Sequence, residues 1–130
     1  MTDAVLLLRR FVLALCVWRE ARGESFRGKS LVAQVIENRV RDPRWPDTYV
    51  GVITQRLQFS AFNAGDPNAL MFPAENDRAW PDCVAAADLV VAAPALLTTA
   101  NHYHTVDVRP TWADPTRLVT QEGRHKFYEL

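Results

Sequence analysis

The sequence predicts an α+β fold that is mainly helical and ends in a small antiparallel sheet. In the N-terminal half, apolar residues recur at spacings of three and four, as on the buried side of a helix. After residue 100, β-branched and aromatic residues alternate with polar ones, which is typical of strands. Glu122-Gly123 then separates two extended runs and predicts a hairpin. Helices followed by strands favour the α+β class over alternating α/β layers.

Length and composition favour a single domain spanning residues 1–130. The 130 residues, 48% of them hydrophobic, are enough for one ordinary core. No internal repeat, low-complexity tract or linker-like segment divides the sequence. The 15 basic and 15 acidic residues balance, so no overall field attracts nucleic acid or an anionic membrane. We therefore expect no nucleic-acid partner and no membrane insertion, and we expect a monomer.

The first predicted helix ends at Gly23 and is apolar nearly all round, which suits a helix buried on most sides. Its N-terminal part has a basic pair, Arg9 and Arg10, before an apolar run of about eight residues, a pattern that a secretory signal also shows. The small-residue pattern that follows, Ala21-Arg22-Gly23, is interrupted by charge. We interpret the segment as a core helix rather than a signal peptide and expect synthesis in the cytoplasm.

Three further helices follow from capping residues and apolar stripes. Ser25 is predicted to cap a second helix that ends before Pro43. A short third helix is expected from about Thr48 to Gln55, and Asp77 can cap a fourth that runs to Pro94. The stripe of the second helix consists of Leu31, Val32, Val35, Ile36 and Val40.

Between the third and fourth helices lies a long polar and aromatic stretch, "RLQFSAFNAGDPNALMFPAEN". A loop of this length in a compact domain usually carries function, so it is a candidate for substrate contacts. Cys16 and Cys83 lie in apolar helical segments, where a free thiol behaves as a small buried hydrophobe. A disulfide between them is possible but not required.

The strongest candidate for chemistry is the pair Glu20 and Glu24 around the predicted end of the first helix. In the last turn, Glu20 meets the negative end of the helix dipole, which disfavours a carboxylate by up to about 1 kcal/mol. The charge of Glu24 and burial beside Trp18 act in the same direction, toward the protonated form that a general acid needs. Arg19 and Arg22 oppose this effect. The alternative is a surface ion-pair cluster of Glu20, Glu24 and Arg22 or Arg39 that merely finishes the helix.

The histidines suggest a second possibility. On a strand, His102 and His104 face the same side, and His125 lies on the hairpin that can pair beside them. Together with Asp107 they can form a zinc site with an open position for a catalytic water. No HExxH motif and no cysteine pair supports this site, so hydrogen-bonded structural histidines are the alternative.

A third possibility is a non-catalytic glycan-binding module, in which aromatic rings stack on sugars. Trp112, in a proline-flanked loop, is the best candidate for a cleft wall. Asn63, Asp66 and Asn68 in the long loop can supply hydrogen bonds to sugars, although the same residue types are ordinary turn formers. Composition alone does not decide among these three classes.

The order of six short motifs along the sequence favours one of these three classes. The stretches "EARGES", "GKSLVAQVIENRV", "LQFSAFNAGDPN", "NHYHT", "PTWA" and "GRHKFY" follow one another at spacings that resemble the spore-cortex-lytic family of bacterial and phage cell-wall hydrolases. The resemblance runs from about Leu8 to Tyr128. It implies a small lysozyme-like α+β domain with an acid at the end of a helix facing a cleft. It also implies cleavage of peptidoglycan glycan strands between N-acetylmuramic acid and N-acetylglucosamine, in many members by lytic transglycosylation.

The roles of the family's residues can be transferred to the matching positions of this sequence. The resemblance then implies that Glu20 is the catalytic acid. Glu24 matches a second family position, either as an organiser of the site or as a second acid or base. The implied substrate-binding residues are Ser60, Asn63, Tyr103 and Trp112. His125 and Phe127 are implied to fix the hairpin. Neither zinc nor any other cofactor is expected.

The implied mechanism uses one carboxyl twice. Glu20 protonates the glycosidic oxygen and then accepts the proton of the muramic acid C6 hydroxyl, which yields a 1,6-anhydro product. If water attacks instead, a hydrolysing muramidase results, and Glu24 or Asp66 is the expected base. Because no clear signal peptide is predicted, we expect delivery to the wall through a holin, a virion or another route, as for phage lysis enzymes.

Overall fold

The computed structural model describes residues 3–55, 71–92 and 96–130, and it confirms the α+β class. Four helices and a three-stranded antiparallel sheet follow one another in the described part of the chain. The elements are α1 (Asp3–Ala21), α2 (Phe26–Arg41), α3 (Tyr49–Ile53), α4 (Trp80–Ala92), β1 (His102–Thr105), a short 3-10 turn (Pro115–Arg117), β2 (Leu118–Glu122) and β3 (His125–Tyr128). Ser60, Asn63, Asp66 and Asn68, from the predicted binding loop, lie outside the described residues.

Helix α1 is buried only in its C-terminal half. Residues 13–19 are buried, and the helix packs there against α2 and α4. Four apolar side chains nearer its start are between 44% and 68% exposed. They are Val5, Leu7, Leu8 and Phe11. The expectation of burial on most sides is therefore wrong for this half, since none of the described elements fully covers it. No helix of the described ranges has the length and apolar character to cross a bilayer.

Helix α2 begins and ends as the capping residues predict. The Ser25 hydroxyl accepts a 3.1 Å hydrogen bond from the Gly28 backbone N–H, which satisfies one of the free donors of the first turn. The predicted apolar stripe is buried, apart from half-buried Val40, and the helix ends at Arg41, shortly before Pro43. Thr48 caps α3 in the same way through the Gly51 backbone N–H.

Asp77 connects the start of α4 to α1. One oxygen of its carboxylate accepts hydrogen bonds from the backbone N–H groups of Ala79 and Trp80, as predicted for a cap. The same oxygen accepts a 3.2 Å bond from the Trp18 indole. Both cysteines are free and fully buried. Burial raises the pKa of Cys83 to about 11 and that of Cys16 well above its usual range, so both are unreactive packing residues.

The sheet has the strand order β1-β3-β2, so the last strand lies in the middle. Gly123, with φ of 56°, makes the predicted hairpin turn between β2 and β3. Tyr103 pairs with Phe127, and Thr105 pairs with His125. Because side chains alternate along a strand, Tyr103, His125 and Phe127 share one face, which we call the tyrosine face. The opposite face carries His102, His104, Lys126 and Tyr128.

Candidate active site

The centre of the candidate site is Glu20, in the last turn of α1, facing Tyr103 of β1. The Tyr103 hydroxyl donates a hydrogen bond of 3.0 Å to Oε1 of Glu20. Burial and the negative charge of Glu20 raise the pKa of Tyr103 well above its usual range. The hydroxyl therefore keeps its proton and acts as a fixed donor to the carboxyl group.

A buried arginine, Arg39, lies within electrostatic range of the same tyrosine. Its Nε donates a 2.6 Å hydrogen bond to the Asn101 carbonyl, two residues before Tyr103, and only 4% of the residue is exposed. Burial lowers the pKa of Arg39 to about 10, so the guanidinium remains charged at neutral pH. Arg39 thus anchors the start of β1 to α2, and its positive charge acts on Tyr103.

Sequence reasoning considered Arg39 only as a partner in a surface ion pair. A signal was present, because Arg39 follows Val32 and Val35 at helical spacing on the apolar stripe of α2. A charged residue on a buried stripe is uncommon unless its polar groups are satisfied. A second arginine, Arg19, is also buried and donates from Nε to the Met71 carbonyl at 3.0 Å. It holds Met71, the first described residue of the long polar and aromatic stretch, next to the end of α1.

Glu24 lies in the connection between α1 and α2, and its carboxylate reaches the hairpin. Its Oε1 accepts a 2.7 Å hydrogen bond from the Arg124 backbone N–H and a 3.0 Å bond from Nδ1 of His125. Partial burial raises the pKa of Glu24. The two hydrogen bonds and the charges of His125 and Arg124 lower it by more, so the pKa lies below its usual value. Glu24 is therefore ionised at neutral pH, and the hairpin holds its Oε1 through two hydrogen bonds.

The three histidines do not converge. His102 and His104 lie on the same face, as predicted, but the register places His125 on the tyrosine face. His104 bonds the Tyr128 hydroxyl through Nε2 at 2.8 Å, and His125 contacts Glu24. Within residues 3–55, 71–92 and 96–130, no group of three or more His, Cys, Asp or Glu side chains is arranged to hold a metal ion.

Trp112 packs on the side of the sheet opposite to Tyr103. Its ring centroid lies 5.0 Å from that of His102, 5.7 Å from that of His104 and 5.5 Å from that of Tyr128. The structure thus brings Glu20 and Tyr103 into direct contact and joins Glu24 to the same face through His125. Trp112 covers the other face, and its predicted contact with substrate stays a prediction.

The grooves found among the described residues lie away from Glu20. One of about 440 Å³ runs between α1 and α3, lined by Val5, Leu8, Tyr49 and their neighbours. Another of about 290 Å³ lies beside β3, next to His104 and Lys126. Tyr49, which lines the first groove, donates a hydrogen bond to the carboxylate of Glu37, which is not part of the lining. We place the candidate site at Glu20 and not in either groove, because its carboxyl group lies at the end of α1, as the sequence resemblance implies, and is bonded by Tyr103.

Comparison with known proteins assigns the family. A family model described as cell wall hydrolase matches residues 23–128, which is most of the chain. The chain belongs to the cell wall hydrolase family. The matched span of this family model includes Glu24, Tyr103 and Trp112, and it begins just after Glu20.

Two curated relatives of this family member are spore cortex-lytic enzymes. The enzyme from Bacillus subtilis is 40% identical over 67 residues, and that from Halalkalibacterium halodurans is 42% identical over 67 residues. Each alignment covers 52% of this chain. The aligned part is 21% of the first relative and 20% of the second, so the chain spans about a fifth of their length.

Two solved catalytic domains share the fold. The catalytic domain of the Bacillus cereus SleB protein is 27% identical, with a TM-score of 0.75 over 93% of this chain and 89% of that domain. The catalytic domain of the germination-specific lytic transglycosylase SleB from Bacillus anthracis is 25% identical. It gives a TM-score of 0.76 over 99% of this chain and 100% of that domain, so α1 and Glu20 fall within the common fold.

Proposed function

We propose that this protein cleaves the glycan strand of peptidoglycan between N-acetylmuramic acid and N-acetylglucosamine as a lytic transglycosylase, with Glu20 as the catalytic acid. The observation that carries the proposal is the Glu20 carboxyl at the end of α1, bonded by the Tyr103 hydroxyl at 3.0 Å. A fixed donor on one carboxyl oxygen orients the group for proton transfer. Membership of the cell wall hydrolase family and the shared fold with a lytic transglycosylase domain support the same activity.

In this mechanism Glu20 acts first as an acid and then as a base. Its proton passes to the glycosidic oxygen as the bond between that oxygen and C1 of the muramic acid ring breaks. The N-acetylglucosamine leaves with a hydroxyl group, and positive charge develops at C1. The carboxylate that remains takes the proton of the C6 hydroxyl, and the C6 oxygen attacks C1. Proton and electron pair thus balance without water, and the product carries a 1,6-anhydro bond. Tyr103 remains protonated throughout and keeps the carboxyl in one orientation.

The environment of Glu24 favours this single-carboxyl route over hydrolysis. A hydrolysing muramidase needs a second carboxylate, either as nucleophile about 5 Å from the acid or as base about 6.5–9.5 Å away. The Glu24 carboxylate accepts two hydrogen bonds from the hairpin and has only 10% of its side chain exposed. It is therefore poorly placed to activate water. The other base weighed for hydrolysis, Asp66, lies outside the described residues.

The proposal also covers the oligomeric state, the residues that contact the glycan and the route to the cell wall. We propose a monomer that binds glycan strands through Tyr103, beside Glu20, and through Ser60, Asn63 and Trp112 from the predicted set. We further propose that it is made in the cytoplasm and delivered to the wall by a phage-type route. Light scattering at the concentration used for digestion tests the monomer. Binding of each alanine variant to purified sacculi tests the contact residues.

The decisive experiment is mass spectrometry of the fragments released from purified sacculi. Wild-type protein should release anhydro-muropeptides, with or without EDTA. Glu20→Gln should reduce release at least about 100-fold, because general acid catalysis contributes that much or more. Glu129→Gln is the matched control and should leave release unchanged, since the side chain of this exposed acid accepts a hydrogen bond from Thr99 and is not part of the candidate site.

Other products would overturn the proposal in distinct ways. Reducing muramic acid ends would establish a hydrolysing muramidase. Free stem peptides that disappear on adding EDTA would mean a metal-dependent peptidase. Binding to sacculi with no soluble fragment would mean a wall-binding module. Full activity in a folded Glu20→Gln variant would remove Glu20 from the mechanism.

A further inference from the structure

The two glutamates of the "EARGE" stretch reach the same face of the sheet through different partners. Glu20 bonds Tyr103 of β1, and Glu24 bonds His125 at the start of β3. Tyr103 and His125 both project from the tyrosine face. The four-residue spacing therefore fixes the end of α1 to two neighbouring strands at once.

The β2–β3 turn is shaped to receive the Glu24 carboxylate. Gly123 has φ of 56°, a conformation that other residues rarely adopt, and a Cβ added there would lie 2.6 Å from Oε1 of Glu24. The next backbone N–H, that of Arg124, donates to this same oxygen at 2.7 Å. Glycine thus allows the close approach, and the turn supplies the donor.

His125 links this anchor to Tyr103. An ionised carboxylate only accepts hydrogen bonds, so His125 donates to Glu24 from Nδ1. Its ring lies edge-on to that of Tyr103, with centroids 5.2 Å apart and planes at 71°. His125 has 3% of its side chain exposed, so it has little room to rotate. The ring of Phe127, 5.9 Å from Tyr103, supports the tyrosine beside it.

We propose that Glu24 and His125 are positioning residues, which hold the Tyr103 hydroxyl against Glu20 and take no part in proton transfer. The carboxylate fixes the imidazole, the imidazole fixes the phenol ring, and the phenol hydroxyl orients the acid. This inference rests on the proposed role of Glu20. It explains the second glutamate without assigning it a step of the reaction.

A double-mutant cycle in the 130-residue chain tests these contacts. Glu24→Ala should lower kcat about ten-fold and leave KM within about two-fold, because one charged hydrogen bond is lost from the support of the acid. In the Tyr103→Phe background, the same change should alter kcat by less than about two-fold, since the hydroxyl that it positions is already gone. Additive losses would overturn the proposal.

Conservative variants separate positioning from chemistry. Glu24→Gln keeps an oxygen that accepts from Arg124 and His125, so it should retain kcat within about three-fold. A loss as large as that of Glu20→Gln, with the fold intact, would make Glu24 a catalytic residue and would contradict the proposal. The matched control is Glu122→Gln. Glu122 also joins the hairpin to the start of α2, through Ser25 and Arg27. It pairs with His125 across the two strands through the backbone, which glutamine leaves unchanged.

NMR of the Tyr103 ring tests the positioning role without any measurement of activity, so it remains informative if the proposed function is wrong. In protein labelled with ¹³C-tyrosine, the ring signals of Tyr103 can be assigned by their loss in Tyr103→Phe. Glu24→Ala and His125→Ala should shift these signals and leave those of Tyr49 in place. Unmoved Tyr103 signals in folded variants would overturn the positioning role. If the signals shift but no wall fragments appear, the geometry stands and only the proposed activity is lost.

Discussion

Tyr103 Oη and Glu20 Oε1 lie 3.0 Å apart, although the two residues are 83 positions apart in the chain. The bond joins the end of α1 to the first strand of the sheet. Since burial and the charge of Glu20 raise the pKa of Tyr103 well above its usual range, the hydroxyl keeps its proton at neutral pH and donates a hydrogen bond to the carboxyl group. The orientation of the acid is therefore a property of the assembled fold and not of the helix alone.

Replacing Tyr103 by phenylalanine should lower kcat about ten-fold and change KM little. The ring still packs on Phe127 and His125, but one hydrogen bond to the carboxyl group is lost, worth about 1.5 kcal/mol when a charged group is involved. Initial rates of fragment release over a range of substrate concentrations measure this effect.

Tyr128→Phe is the matched control. The Tyr128 hydroxyl is hydrogen-bonded to His104 on the opposite face of the sheet. We expect its rates to match those of the wild type. Equal losses in the two variants would mean that general loosening of the sheet, and not the bond to Glu20, causes the effect.

Gly123→Ala should lower the free energy of unfolding by about 2 kcal/mol, because alanine is strained at positive φ and meets the Glu24 carboxylate. Gly23→Ala is the matched control, since a Cβ there has no atom within 4 Å. Urea unfolding of both variants measures the difference. Equal stabilities would show that the turn readily rearranges.

Acidification should weaken the anchor between Glu24 and the hairpin. The pKa of Glu24 in the folded protein is below its ordinary value of 4.5, so its contribution to stability is complete above that pH. It is lost as the pH falls from 4.5 through the folded pKa, where the carboxylate takes up a proton. The stability advantage of wild type over Glu24→Gln should therefore be constant from pH 7 to 5 and shrink below. Urea unfolding at several pH values tests this, and a constant difference down to pH 3 would contradict it.

We expect His102 to cause a second pH dependence of stability, at higher pH than that of Glu24. Burial, followed by the positive charges of Arg39 and Arg44, lowers its pKa from 6.5 to about 4. Between these values the unfolded chain binds the proton more readily than the folded protein, so stability falls as the pH is lowered from 6.5 toward 4. His102→Gln should flatten this part of the curve, as measured by urea unfolding. An unchanged slope in the variant would assign the effect to other groups.

Features that depend on neighbours in the sequence were predictable. Ser25 and Asp77 cap helices because a side-chain oxygen reaches backbone N–H groups only two or three residues away. The same local argument placed Glu20 in the last turn of α1. The hairpin followed from Glu122-Gly123, because glycine readily takes the positive φ of the turn.

Features that depend on distant pairing were not predictable in the same way. The face on which His125 lies depends on strand register, and a shift of one residue reverses it. The sequence offered His125 as a neighbour of His102 and His104, whereas the register places it with Tyr103. The burial of Arg39 likewise depends on the Asn101 carbonyl, 62 positions away, which no local pattern indicates.

The contacts of Glu24 with Arg124 and His125 span 100 and 101 positions, and the strand that carries His125 is the central one of the sheet. Contacts this far apart form late, because a long loop must close before they contribute. Helices α1 and α2 can form beforehand, but Glu24 is then without the hairpin groups that hold it. A ribosome-bound chain shorter than about 125 residues, or one cut within the β2–β3 turn, should therefore carry Glu20 without an assembled site. Competence for catalysis would appear in a single step, when the hairpin docks.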